Sequence, residues 1–185
     1  MQATDTLMSE HRVIERVLAV LETAARQVQA GQDVRPGFFV DAAGFIKGFA
    51  DGCHHAKEEG VLFKALERNG MPPDRGPVAV MLTEHEQGRV FTRRMRAAAE
   101  KWQAGDLAAR EDAASNALAY VTLLRQHILK EDQVLFPMAG QVIPADQQGQ
   151  VMEDFEHVEH EETGAGVHEK YLALAEILEK EIKRA

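Results

Sequence analysis

One block of this chain occurs twice with nearly the same chemistry. Residues 54–63 read HHAKEEGVLF, residues 127–136 read HILKEDQVLF, and the two align without a gap. His54 matches His127, Lys57 matches Lys130, Glu58 matches Glu131, and Glu59 faces Asp132. One helix upstream of each block stands another histidine: LMSEH ends at His11 and MLTEH ends at His85. The chain therefore carries two related helical hairpins, each supplying a His and then a His-x-x-x-Glu, at separations of 43 and 42 residues.

On an α-helix, residues four apart lie one above the other. His54 and Glu58 then project together, as do His127 and Glu131. Ala50, Val61 and Leu62 flank the first pair, and Leu123, Leu124, Val134 and Leu135 the second, so both pairs are expected to face the core. A carboxylate there is costly unless paired or bound to metal, and the pattern offers neither glutamate an arginine. Two metal ions resolve the cost. His11, His54, His85 and His127 would be terminal ligands, with Glu58 and Glu131 bridging. An oxo, hydroxo or water bridge would fill further positions and leave room for a small ligand. Mixed nitrogen and oxygen donors suit iron or manganese, and zinc less well. A single His-x-x-x-Glu carries little, since it recurs at His11/Glu15, His55/Glu59 and His157/Glu161. The repetition with matched upstream histidines carries the reading.

Long helices must position these residues. Apolar residues spaced by three and four predict a first helix from about Thr4 to Ala30, closed by Gly31. A second is expected from Pro36 to Arg68, ended by Asn69-Gly70. Gly44, Gly48 and Gly52 fall four apart on it and imply close helix contact. A third runs from about Pro77 to Ala104, before Gly105. A fourth runs from about Leu107 to Met138, closed by Pro137 and Gly140. A fifth segment spans Pro144 to Lys183 and is expected to split at Gly164 and Gly166. The fold class is therefore all-α: an up-down-up-down four-helix bundle over residues 1–140 with a C-terminal helical extension over 141–185, packed on the bundle.

Bulk properties agree. At 185 residues the chain suits one core. Its formal net charge of −9 argues against nucleic acid, and the short basic cluster Arg93, Arg94 and Arg96 reads as a solvated helix face. Cys53 is the only cysteine, which excludes an intrachain disulfide and a thiolate cluster. The N-terminus lacks the pattern of a signal peptide, and no stretch of 18 apolar residues implies a membrane span. The cytoplasm is the expected location.

The order His11, His54-x-x-x-Glu58, His85, His127-x-x-x-Glu131, with the phrases HHAKEEGVLF and QHILKEDQVLFPMA, resembles the hemerythrin-like (HHE cation-binding) family. The resemblance covers roughly residues 5 to 140, and the tail FEHVEHEETGAGVHEKYLALA is similar to a segment of bacterial members. It implies a four-helix bundle holding a non-haem di-iron centre. Oxygen-carrying members have His-x-x-x-His on the third helix and His-x-x-x-x-Asp on the fourth. Here Arg89 stands four after His85, and Glu131 replaces the aspartate. That implies a more symmetric centre with two imidazoles per ion. The resemblance then points to binding or reduction of a small oxidant (oxygen, peroxide or nitric oxide), or to a non-enzymatic iron or oxygen sensor or iron buffer. A structural bundle with incidental metal is a third reading. No organic-substrate signature is present, and a protein partner or homo-oligomer is left open.

Other residues have plainer alternatives. Tyr120, seven before His127, could be a hydrogen-bond donor to a ligand or a redox partner, or simply a buried tyrosine. Gly88 either opens space beside the metals or relieves helix crowding. Arg89 either steers anions inward or is a surface residue. His55 and Glu59 lie about 100° around an ideal helix from His54 and Glu58, so solvent or an interhelical contact is expected for them. Cys53 reads as an inert buried thiol. His157, His160 and His168 read as surface histidines, with a second metal site as the alternative.

Overall fold

The computed structural model describes residues 3–159, 164 and 166–184, and their regular structure is entirely helical. Helix α1 spans Ala3–Gln29. Helix α2 begins with Pro36–Phe45, passes through wide π-helical turns at Ile46–His55 and Glu58–Leu62, and finishes with Phe63–Arg68. Helix α3 spans Gly76–Gln103, with Pro77 in its first turn. Helix α4 comprises Ala109–Lys130, a wide turn at Glu131–Leu135, and Phe136–Val142. Helices α5 and α6 are Gln148–His157 and Val167–Arg184. Helices α1 to α4 form the bundle, and Gly31, Gly70 and Gly105 end the first three at positive φ, where a side chain would be strained.

Helix α4 continues past the expected stop at Pro137 and Gly140. Proline normally breaks a helix by removing one amide and clashing with the carbonyl four residues back. Here it follows the wide turn at Glu131–Leu135, where the bond pattern is already out of α register.

The core is in two parts. One apolar cluster contains Ile14, Leu18, Ala50, Met95, Leu124 and Ile128. The other contains Leu7, Val61, Leu62, Met81, Leu135 and Phe136, with Val151 and Phe155 of α5 closing over them. Along each of the four bundle helices the histidines and glutamates fall between residues of one cluster and residues of the other. The polar layer is therefore sandwiched between two hydrophobic ones. Val134 departs from expectation: it is 48% exposed.

Helix α6 packs on α1 and α2. Arg16 pairs with Glu179 at 2.8 Å, Arg35 pairs with Glu181 at 2.8 Å, and Phe45 meets the Tyr171 ring edge-on. Of the three spaced glycines, Gly48 is the one that meets another helix. A Cβ there would lie 1.8 Å from the Tyr171 ring, whereas at Gly44 it would meet nothing within 4 Å and at Gly52 only the Lys47 carbonyl at 3.2 Å. Gly48→Ala is expected to destabilise by about 1–3 kcal/mol through overpacking. Gly44→Ala should instead stabilise by roughly 0.5–1 kcal/mol through helix propensity. Chemical denaturation of the two variants checks this, and equal effects would contradict it.

Candidate metal centre

The six residues singled out by the repeat come together at the middle of the bundle. His11, His54, Glu58, His85, His127 and Glu131 are all at most 1% exposed. Glu58 spans two histidines: its Oε1 lies 3.5 Å from His54 Nε2 and its Oε2 3.4 Å from His85 Nε2. Glu131 does the same, with Oε2 3.2 Å from both His11 Nε2 and His127 Nε2. The two carboxylates thus sit as paired struts across the layer.

His55 joins them. Of the two expectations for it, solvent or an interhelical contact, the second holds: its side chain is buried and its ring stacks on His85 at a centroid distance of 3.8 Å. The donor atoms fall into two tight groups: His55, Glu58, His85 and His127 in one, and His11, His54, Glu58 and Glu131 in the other. Glu58 belongs to both. The donor atoms thus group as three imidazoles and two, where two and two were expected. His55 stands at the end of the wide turn at Ile46–His55, on a flank of α2 that His85 of α3 covers. A signal for this was present in the repeat. The residue aligned with His55 is Ile128, which is buried, so the position is an inward one.

Every histidine is oriented from behind by a carboxylate on its Nδ1. Asp132 holds His11 at 2.7 Å, Glu10 holds His54 at 2.9 Å, and Asp51 holds His55 at 2.9 Å. Glu59 holds His85 at 2.7 Å and Glu84 holds His127 at 3.0 Å. Each carboxylate is in turn met by a cation: Arg12 on Asp132, Lys57 on Glu10, Arg89 on Glu59 and Asp51, and Lys130 on Glu84. Such supports fix the tautomer, leaving each Nε2 directed at the centre, and raise ligand basicity. The sequence reading aligned Lys57 with Lys130 and Glu59 with Asp132 but gave them no role. The Glu preceding His11 and His85 in SEH and TEH was the further clue. Phe136 stacks on His11 at 5.4 Å and Phe63 on His85 at 5.9 Å, so the repeated Val-Leu-Phe also supplies matched apolar covers.

The electrostatics follow from this layout. Burial works to lower the His11 pKa, but the hydrogen bond to Asp132 and the adjacent Glu131 carboxylate outweigh it and raise it to about 9. His127 behaves likewise: burial lowers, the Glu131 charge raises, and the result is about 10. Burial would raise Glu131, yet the charges of His127 and His11 hold it well below the usual carboxylate range. His55 is driven well below its ordinary value by burial and by the neighbouring His85 charge, which keeps it a neutral donor. A cation at these imidazoles would compete with protons for the same nitrogens.

The donors fit a metal by a direct test. Among the described residues, the buried side-chain atoms lacking a hydrogen-bond partner include His11 Nε2, His54 Nε2, and both oxygens of Glu58 and Glu131. Buried polar atoms are otherwise almost always satisfied. Six orphans converging on one layer, all good ligands for a hard or borderline cation, fit a metal centre.

The remaining residues resolve as follows. Tyr120 is fully buried with its hydroxyl unpartnered, and it bonds none of the histidines or glutamates. A Cβ at Gly88 would lie 3.4 Å from the Tyr120 ring, so Gly88 relieves helix crowding. Cys53 is buried, and burial pushes its thiol up to about 11, consistent with an inert group. Glu10, Cys53 and Glu159 also converge, but the fully buried Lys57 bonds both carboxylates and supplies the cation there. His157 is exposed, while His168 stacks on Phe49 at 5.3 Å rather than lying free on the surface. His160 lies outside the described residues. Among the described residues, no helix is long and apolar enough to cross a membrane.

Comparison with known proteins agrees with this geometry. Three curated mycobacterial proteins, two from Mycobacterium tuberculosis strains and one from Mycobacterium bovis, are each 33% identical to the chain over 162 residues. All three are described only as uncharacterized. The match covers 88% of this chain and 63% of each relative, so the chain spans somewhat less than two thirds of their length. No solved structure matches. The family model described as the hemerythrin HHE cation-binding domain matches residues 2–139, and the chain belongs to that family.

Proposed function

We propose that this protein is a non-haem di-iron protein that binds or reduces a small oxidant: oxygen, peroxide or nitric oxide. His55, His85 and His127 would hold one ion, His11 and His54 the other, with Glu58 and Glu131 spanning the two. The carrying observation is the convergence of six unpartnered buried donor atoms on one layer. Bound iron would supply reversible electron transfer to a small ligand at an open coordination position. The chain's own residues do the rest. The five Nδ1-bound carboxylates fix the imidazoles, and Phe63 and Phe136 cover His85 and His11 against bulk water. The two-imidazole group has fewer protein nitrogens, so an exogenous ligand is expected on that side.

The test is metal content by elemental analysis with a visible spectrum, on protein purified without added metal. About two irons per chain with charge-transfer bands is the expected result. His55→Ile, which copies the second repeat, should weaken one ion by at least the roughly 10–100-fold that loss of an outer support costs. Unchanged metal content and spectrum in that variant would remove His55 from the ligand set.

One observation favours a second reading as an iron or oxygen sensor. Lys57 bonds Glu10, which supports His54, and also bonds Glu159 in the segment after α5 at 2.9 Å. Metal loss would then be felt in the C-terminal helices. Faster hydrogen exchange there on chelation, with no turnover of peroxide or nitric oxide, would favour sensing.

A further inference from the structure

Among the described residues, one cleft lies to the side of the histidine layer. It lies between α2 and α3, encloses about 560 Å³, and is lined by Lys47, Asp51, Arg89, Thr92, Arg93 and Arg96 together with small residues. This volume falls in the range of small-molecule sites. The chain carries a net charge of −9, yet this cleft gathers four cations against one carboxylate. Arg89, Arg93 and Arg96 occupy one face of α3 by helical spacing, and Lys47 and Asp51 face them from α2, one turn apart. Such a concentration of one sign in a concave site focuses the field on an entering anion.

Three of the cations, Lys47, Arg93 and Arg96, are also available. Arg93 pairs with Glu86 at 3.0 Å and Arg96 with Glu100 at 2.8 Å, but both partners are more than half exposed and neither lines the cleft. Exposed pairs of this kind are weak and exchange readily. Lys47 has no ion pair among the described residues. Arginine forks match phosphate and carboxylate geometry.

The inner wall of the cleft reaches the histidine layer. Asp51 holds His55 Nδ1 at 2.9 Å, and Arg89 bonds Glu59, which holds His85. Both histidines belong to the three-imidazole group. Asp51 and Arg89 therefore belong at once to the cleft wall and to the supports of the centre.

We propose that this cleft binds a small organic polyanion, phosphate- or carboxylate-bearing, and that its occupancy is transmitted through Arg89 and Asp51 to the three-histidine group. Binding does not depend on the di-iron reading; the transmission does.

The experiment is isothermal titration calorimetry of the full-length, metal-containing protein at low ionic strength, with AMP and with glutarate as probes. The paired variant is Arg93→Ala/Arg96→Ala, whose side chains support no histidine and whose metal content should match the wild type. The expected result is saturable binding that weakens with added salt and falls at least about tenfold in the double variant. Preference for AMP would mark the natural ligand as phosphate-bearing; equal or stronger glutarate binding would mark it as a carboxylate. Lack of binding by both probes, or equal binding in wild type and double variant, would overturn the cleft assignment. A visible-spectrum change on AMP addition in wild type, absent from the double variant, supports the transmission; binding without such a change overturns it. Binding by protein that proves to contain no metal would leave the cleft standing and remove the di-iron reading.

Discussion

Glu58→Ala is expected to abolish binding of both metal ions at once, taking content from about two per chain to near zero. Glu58 is the donor common to both ligand groups, with one oxygen toward His54 and the other toward His85. Replacing any single histidine removes a donor from one group, whereas replacing this carboxylate removes one from each and also the span between them. The same substitution should have the opposite effect on the metal-free protein. A buried carboxylate without a hydrogen-bond partner destabilises the fold. Metal-free Glu58→Ala should therefore be at least as stable as the metal-free wild type. Elemental analysis and denaturation, run on both proteins before and after chelation, read the two effects separately. Retention of about two ions in Glu58→Ala would show that Glu58 does not span the site.

Chelation of the wild-type protein should lower its thermal midpoint by about 10 °C. Metal present at about a thousand times its dissociation constant stabilises by roughly 4 kcal/mol, and each kcal/mol moves the midpoint of a domain this size by about 2–4 °C. The loss should be concentrated in the layer between the two apolar clusters, where imidazoles and carboxylates pack with nothing else to satisfy them. Differential scanning calorimetry checks it. Identical midpoints with and without chelator would mean that the layer is sustained by its own imidazole–carboxylate contacts.

The bundle was legible because its helices announce their ends. Gly31, Gly70 and Gly105 close three of them, and Pro36 and Pro77 open two, for reasons local to each residue. The juxtaposition of His11, His54, Glu58, His85, His127 and Glu131 was legible because a repeat of aligned residues places equivalent groups at equivalent depths. What escaped depends on neighbours and on helix irregularity. A step of about 100° per residue turns His55 away from His54, but α3 packs over that flank and both are buried. Pro137 misled because a break already lies just before it. The outer carboxylates escaped because their roles are long-range. Asp132 supports a histidine 121 residues away, which periodicity along one helix does not reveal.

The pattern of outer supports also bears on how such a site arises. Glu10 supports His54 and Glu84 supports His127, each within its own hairpin; Asp132 supports His11 and Glu59 supports His85, each across to the other. A lone hairpin would hold only part of the donors and would lack the support of its first histidine. Two identical copies about a two-fold axis would complete both. A symmetric homodimer of such hairpins would thus be sufficient to assemble the layer. The pair His55 and Ile128 breaks that symmetry: one inward position carries an imidazole and its twin a hydrocarbon, so the two ends of the layer differ.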